Sequence, residues 1–251
     1  MSANLMLHAG GKLCSYDELQ QIPTPPPEGR WHPVSHVRVL DTVTGTLTAA
    51  GYEIKDRKLA VAREGQRFFG TLDLSTPLAC GVSLAVGVRN SIDKSFPLGF
   101  YAGSRVFVCD NLAFRSELLV KRKHTRFGEM RFGNQIAAAV QSLTSFKEAE
   151  RIRIKRMMET DLTEDQCYAM ILRAFERSII ASTVIGKVLT AWKSGEIDYG
   201  TGDESTVWKL LNCFTTVLGS RAVRNPTEYA GQTIRLNALL APEAPAVANA
   251  A

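Results

Sequence analysis

The chain lacks the features that mark membrane-spanning and secreted proteins. No stretch approaches the roughly 18 uninterrupted apolar residues that a membrane span requires. Residues 1–21 have neither the charged start nor the long apolar core of a signal peptide. We therefore expect a cytoplasmic protein with no membrane partner.

Closely spaced cysteine pairs are also missing, which argues against disulfide bonds and cysteine-ligated metal sites. The five cysteines are widely spaced, none belongs to a CxxC pair, and their number is odd. Neither a disulfide framework nor a thiolate zinc site is therefore expected. We expect small buried hydrophobic side chains at Cys14, Cys80, Cys109, Cys167 and Cys213.

Common catalytic and nucleotide-binding motifs are absent as well. The sequence has no GxxxxGKS/T phosphate loop, no HExxH and no GxSxG. We therefore expect no cofactor and no metal, and we assign no catalytic residue. His32 and His36 have the i, i+4 spacing of helical metal ligands, but no third ligand accompanies them. An acid–base or metal-dependent site at Asp93, Asp110 and His124 stays open as an alternative.

The hydrophobic pattern of the first half predicts a helix followed by strands. Residues 33–51 have apolar side chains at helical spacing. Residues 53–62 and 67–74 predict a hairpin around a glycine-containing turn. The apolar run of residues 79–91 is typical of a strand buried on both faces. Residues 98–111 predict a fourth strand.

The second half predicts helices, with apolar residues at helical spacing from Gly133 onwards. Thr163 and Gln166 form a capping box at one helix start, and another helix is expected to stop at Gly219. The predicted fold class is α+β: an N-terminal helix plus about four mostly antiparallel strands, followed by four or five helices.

The composition also suggests boundaries within the chain. We expect an irregular, proline-rich segment at residues 1–33 and an α+β sheet domain at 34–132. A helical region packed on the sheet should cover residues 133–240. The Ala/Pro-rich tail at residues 241–251 is typical of disorder.

Positive charge is concentrated in one part of the sequence. The chain has a net charge of +5, yet residues 115–156 contain eleven basic and only four acidic side chains. The remainder of the chain is therefore slightly acidic. A local positive field of this kind favours an anionic partner.

The basic and polar residues divide into two predicted groups. Cations at the edge of the sheet are expected to follow a phosphate backbone, with interleaved aromatic side chains available for stacking on bases. The predicted nucleic-acid-binding residues are Arg89, Lys94, Arg105, Arg115, Lys121, Arg122, Lys123, His124 and Arg126. A polar network at the end of the third strand is expected to contain Asn90, Ser91, Asp93, Asp110 and Asn111.

Three segments of the sequence resemble a known family. They are WHPVSH (31–36), GVRNSIDKSFPLGFYAGSRVFVCDNLAF (87–114) and RKHTR (122–126). Together they are similar to domain-of-unknown-function family 932, a group of uncharacterised bacterial proteins common on phages and plasmids. The likeness spans roughly residues 31–240. It departs from the family pattern at Ile92, where many relatives have a histidine.

The resemblance implies work on DNA, such as recombination, replication or plasmid maintenance. The predicted order of helix, hairpin, third strand and helix is also similar to the core of single-strand annealing proteins, which act as rings or filaments. We therefore expect a homo-oligomeric protein that binds single-stranded DNA or RNA and mediates annealing or recombination. A metal-dependent nuclease and a non-catalytic interaction or scaffold protein stay open as alternatives.

Overall fold

A computed structural model describes residues 11–79, 81–106, 111–194, 205–222 and 226–241. These residues form one antiparallel sheet and a set of helices, as the α+β prediction requires. Residues 242–251 of the predicted tail (241–251) lie outside the described residues, as do Cys80 and Cys109.

The sheet has six strands, and each strand pairs antiparallel with the next along the chain. The strands are β1 (Lys12–Leu13), β2 (Ile54–Ala62), β3 (Arg67–Ala79), β4 (Val82–Ser91), β5 (Leu98–Val106) and β6 (Asn111–Arg122). This order places β3 and β4 at the centre. The short β1 and the long β6 form the two edges.

The sequence pattern did not predict two of the six strands, β1 and β6. The β1 strand has only two residues, too few to show a period. In β6 the register against β5 shifts, since Tyr101 pairs with Leu119 whereas Gly103 pairs with Phe114. The extra residues on β6 interrupt the alternation on which strand prediction depends.

Eight helices lie within the described ranges, and their boundaries refine the predictions. They are α1 (Tyr16–Gln20), α2 (His36–Ala49), α3 (Gly128–Gln141), α4 (Leu143–Glu159), α5 (Glu164–Glu176), α6 (Ser182–Ser194), α7 (Val207–Ala222) and α8 (Pro226–Leu240). The predicted capping box at Thr163 is present. However, α3 begins five residues before Gly133, and α7 continues past Gly219.

The core surrounds the central strands. Every residue of β4 is buried, and successive side chains of a strand point to opposite faces, so both faces of β4 are covered as predicted. Helix α2 contributes a buried stripe that includes Leu40, Val43 and Leu47. None of the described helices is both long and apolar enough to cross a membrane.

The described cysteines are free thiols, in agreement with the expectation for this residue type. Cys167 and Cys213 are buried and Cys14 is half-buried. Burial raises the pKa of Cys167 to about 12 and that of Cys14 to about 11. These thiols are therefore protonated and chemically inert at neutral pH.

Candidate functional site

Three segments that are distant in sequence meet at one end of the sheet. They are residues 31–36 before and at the start of α2, residues 89–96 at the end of β4, and residues 122–126 after β6. The His32 N–H donates to the carbonyl of His124 at 3.2 Å, and Asn90 Nδ2 donates to the carbonyl of Val34 at 2.7 Å. The segments that carry the family resemblance thus form one local structure.

His36 and Asn90 form the buried centre of this structure. His36 Nε2 donates to the carbonyl of Gly65 at 2.8 Å, and its Nδ1 accepts from Asn90 Nδ2 at 2.9 Å. Both ring nitrogens of a neutral imidazole are thereby satisfied. Burial lowers the pKa of His36, so this ring is a structural neutral histidine rather than half of a metal pair with His32.

His124 is a second buried histidine, only 6% exposed. Its Nδ1 accepts from the Val34 N–H at 3.4 Å, so the proton of the neutral ring lies on Nε2. That Nε2–H has no hydrogen-bond partner among the described residues. Burial, with a smaller contribution from neighbouring His36, lowers the pKa of His124 to about 4. His124 is therefore a neutral hydrogen-bond donor at neutral pH.

The turn after β4 is held by its own polar side chains. Ser91 Oγ accepts from the Phe96 N–H at 3.0 Å and donates to the Phe96 carbonyl at 2.7 Å. Asp93 accepts from Arg67 Nε at 2.7 Å and from the Ser95 N–H at 3.0 Å. Burial alone would raise the pKa of Asp93, but hydrogen bonds from Ser95 and Arg67 outweigh it and hold the pKa below its usual value.

Lys94 projects from this turn towards the segment that precedes α2. Its backbone has a φ of +64°, a left-handed conformation that is rare for residues other than glycine. Its Nζ lies 4.9 Å from the centre of the Trp31 ring and forms an ion pair with Glu28. The turn is thus bent so that a cation lies on the indole face.

Arg89 lies behind this turn rather than at the surface. The side chain is buried, and its guanidinium carbon lies 5.2 Å from the ring centre of Phe96 and 5.3 Å from that of Tyr101. Burial lowers the pKa of Arg89. Gly99 makes room for it, because a Cβ at that position would lie 2.8 Å from Arg89 Cγ. Arg89 therefore supports the aromatic wall.

These elements enclose an open cleft of about 570 Å³, within the roughly 300–1,000 Å³ range of ligand clefts. We call it the His124 cleft. Its lining residues are Arg30, Trp31, Lys94, Ser95, Phe96, Pro97, Lys123, His124 and Thr125. The walls combine two aromatic rings with three cations, a composition suited to an aromatic or anionic ligand.

The cations beside the cleft are exposed. Lys121, Lys123 and Arg126, here called the basic rim, lie at the end of β6 and in the following turn. No rim residue has a carboxylate within ion-pair distance among the described residues. Gly128 allows the turn to close, because a Cβ there would lie 2.6 Å from the Lys123 carbonyl.

The cations of α4 differ from those of the rim. Glu148 lies 3.8 Å from Lys147 and 3.7 Å from Arg151. Arg153 is buried against Glu150 at 2.5 Å. The positive segment recognised in the sequence is therefore divided. Its second half is largely neutralised by carboxylates of α4, whereas Lys121, Lys123 and Arg126 face solvent with no ion-pair partner among the described residues.

The predicted site residues divide accordingly. Lys94, Lys123 and His124 line the cleft, and Lys121 and Arg126 lie on the rim with half-buried Arg122 beside them. The predicted polar network is only partly visible: Asn90, Ser91 and Asp93 make separate sets of hydrogen bonds. Asp110 lies outside the described residues, as do the side chains of Arg105, Asn111 and Arg115.

Two members of the alternative acid–base group, Asp93 and His124, lie among the described residues. Asp93 is engaged by Arg67 and Ser95 and does not line the cleft, whereas His124 does. Among the described residues, no group of three or more His, Cys, Asp or Glu side chains is arranged to hold a metal ion. The third member of the predicted group, Asp110, falls outside that set.

Two residues of the cleft, Arg30 and Trp31, were not predicted from the sequence as site residues. Both follow the proline-rich connector and reach the cleft through a turn in which Glu28 and Trp31 exchange backbone hydrogen bonds at 2.9 Å. Gly29, with a φ of +56°, allows this turn. A lone arginine–tryptophan pair beside a proline-rich stretch was the available signal, but it has no period to distinguish it from an exposed loop.

No family model, curated protein or solved structure matches this chain significantly. Membership of the family that the three segments resemble therefore stays a prediction. The function is argued below from the geometry of the cleft and the rim.

Proposed function

We propose that the protein binds single-stranded nucleic acid, with the phosphate backbone on the basic rim and the adjoining nucleotide in the His124 cleft. The observation that carries this proposal is a group of exposed cations beside an aromatic-walled cleft, with no ion-pair partner in the part of the chain that the structure describes. Lysine and arginine side chains bind phosphates through charge, and aromatic faces stack on bases of any sequence.

The proposed roles follow from exposure. Lys121, Lys123 and Arg126 contact successive phosphates because they are the exposed cations on one continuous stretch of chain. Trp31 and Phe96 supply the apolar walls of the cleft. Arg89 is left out of the proposed interface, because burial between aromatic rings keeps it from a phosphate.

The family resemblance suggests the biological process in which this strand binding takes place. We place the binding in DNA annealing or recombination on a mobile element, in the cytoplasm, with self-association of the chain as the means of holding a long strand. These points rest on the three quoted segments, whereas strand binding rests on the cleft and the rim.

A salt titration with a charge-reversal variant tests the proposal. Fluorescence polarisation with labelled oligothymidylate should show affinity falling steeply with salt, with a logarithmic slope of about −0.7 for each phosphate contact. The Lys121→Glu, Lys123→Glu, Arg126→Glu variant should lower affinity at least about tenfold and reduce the magnitude of that slope by about 2.

A matched control separates local contacts from net charge. Arg156, Arg173 and Lys187 are exposed cations on α4, α5 and α6 that do not line the cleft. Reversing all three changes the net charge equally and should leave most of the affinity intact. Salt-independent binding, or equal losses in the two triple variants, would contradict the proposal.

A further inference from the structure

The unsatisfied polar groups of the His124 cleft are all hydrogen-bond donors. His124 Nε2–H has no acceptor among the described residues, and the same holds for the indole N–H of Trp31. An indole nitrogen can only donate, and the Nδ1 contact with Val34 leaves His124 Nε2 as a donor too. Both nitrogens are covered in the structure, and each buried donor carries an unmet desolvation cost that an acceptor oxygen would remove on reaching it. The cleft therefore selects a ligand rich in acceptors.

The charges of the cleft favour a doubly charged ligand. Arg30, Lys94 and Lys123 contribute three positive charges, and the nearby Glu28 carboxylate removes one. A phosphodiester within a strand carries a single negative charge, whereas a terminal phosphate monoester carries about −1.5 to −2 at neutral pH. The monoester thus matches the cleft in charge and offers three acceptor oxygens.

The contacts of Lys94 indicate which side chains would move when such a ligand binds. Lys94 lies over the Trp31 ring and forms an ion pair with Glu28, whose side chain is 74% exposed. A phosphate that pairs with Lys94 replaces the Glu28 carboxylate. The movement this requires involves these two long, solvent-accessible side chains and the groups that cover His124 Nε2 and Trp31 Nε1 in the structure.

We propose that the His124 cleft binds the terminal phosphate of a single-stranded DNA end. Arg30 and Lys94 hold the phosphate charge, while His124 Nε2–H and Trp31 Nε1–H donate to its oxygens. This inference rests on the proposed function, because the strand attached to that phosphate is taken to continue along the basic rim.

The test compares ends on otherwise identical strands. Oligothymidylates with a 5′-phosphate, a 3′-phosphate or hydroxyls at both ends are titrated by fluorescence polarisation, the label on the opposite end. One phosphate-ended strand should bind on the order of tenfold more tightly than the hydroxyl-ended strand, since charge-assisted hydrogen bonds are gained. Thymidine 5′-monophosphate should compete with that preferred strand, which identifies the phosphate monoester as the group recognised.

Substitutions of exposed residues distinguish binding in the cleft from binding on the rim without altering buried residues. Arg30→Gln with Lys94→Gln should abolish the end preference, because it weakens the phosphate-ended strand by about tenfold more than the hydroxyl-ended strand. Glu28→Gln removes the competing carboxylate and should tighten the phosphate-ended strand several-fold, leaving the hydroxyl-ended strand unchanged. The Lys121→Glu, Arg126→Glu variant, which leaves the cleft residues intact, should weaken all strands alike.

The two proposals fail in different ways. Equal affinity for phosphate-ended and hydroxyl-ended strands overturns the terminal-phosphate inference, and salt-dependent binding of both leaves the proposed function standing. Absence of binding to any strand overturns the proposed function and this inference with it. An end preference that survives in the Arg30→Gln, Lys94→Gln variant also overturns the inference, because the preference would arise elsewhere.

Discussion

At the scale of single residues, the site depends on where polar groups are buried. Arg89 is a cation enclosed by Phe96 and Tyr101, and it can lie flat there only because position 99 has no side chain. His124 and His36 are neutral because burial disfavours their charged forms. Each of these features has a consequence for stability that can be measured.

Gly99→Ala should destabilise the fold by about 1–3 kcal/mol, the usual cost of overpacking. The new Cβ would lie 2.8 Å from Arg89 Cγ and 2.9 Å from Tyr101 Cε2. Urea unfolding measures the loss. Gly186→Ala is the control, since no atom lies within 4 Å of a Cβ there and the position is helical, so it should be neutral or stabilising by up to about 1 kcal/mol. Equal losses in both variants would contradict the packing argument.

Stability should fall as the pH is lowered from about 6.5 to 5. The pKa of His124 is about 4 in the folded protein and 6.5 when unperturbed, so in this window only the unfolded chain takes up the proton. Buried His36 acts in the same direction. Each such group contributes up to about 1.4 kcal/mol per pH unit. Unfolding free energies measured across this range should show a shallower slope in His124→Gln; an unchanged slope would refute the assignment.

At the scale of secondary-structure elements, a buried ion pair within α4 is linked to α8 by a hydrogen bond. Arg153 on α4 donates from Nε to Glu150 at 2.9 Å and from Nη1 to Asn237 of α8 at 2.8 Å. Glu150 is completely buried. Two residues away on the same helix, Glu148 makes only longer contacts with Lys147 and Arg151 at the surface. The helix thus contains a matched pair of glutamates in opposite environments.

Glu150→Ala should lower the free energy of unfolding by about 3–5 kcal/mol, because it leaves the buried Arg153 charge uncompensated. Glu148→Ala should cost about 0–1 kcal/mol, as is usual for exposed ion pairs. Thermal and denaturant unfolding of the two variants provide the comparison. Similar losses in both would mean that Arg153 is not confined to the interior.

At the scale of the whole molecule, the sheet organises the described structure from its centre outwards. All ten residues of β4 are buried, whereas β1 at one edge has two exposed residues. Helices α2 and α3 lie beside the strands that carry the cleft, and the neutralised cations of α4 lie apart from the basic rim. The exposed cations of the basic rim therefore lie at the same end of the sheet as the cleft.

Backbone amides of β4 should be among the slowest to exchange with deuterium, because they open only when the sheet unfolds as a whole. Hydrogen exchange followed by mass spectrometry of peptic peptides measures this. Peptides from α1 and β1 should exchange much sooner. The outcome that contradicts the prediction is a β4 peptide that exchanges as quickly as those at the β1 edge.

The sequence alone predicted those helices and strands whose hydrophobic period, length and capping residues all indicate the same structure. Helices α2 and α5 and strands β2 to β5 follow from local spacing, and the Thr163 cap follows from side-chain chemistry within one turn. The α+β class and the buried character of β4 followed from the same patterns. Such features depend on neighbours along the chain, so one sequence reveals them.

The tertiary structure alone decided the composition of the cleft. Trp31, Lys94 and His124 are far apart in sequence and meet because α2 and the turns after β4 and β6 converge. The irregular register of β6 and the burial of Arg89 likewise depend on partners across the sheet. Which cations stay exposed is settled by carboxylates nearby in space and by the surrounding packing, and no local pattern encodes those distances.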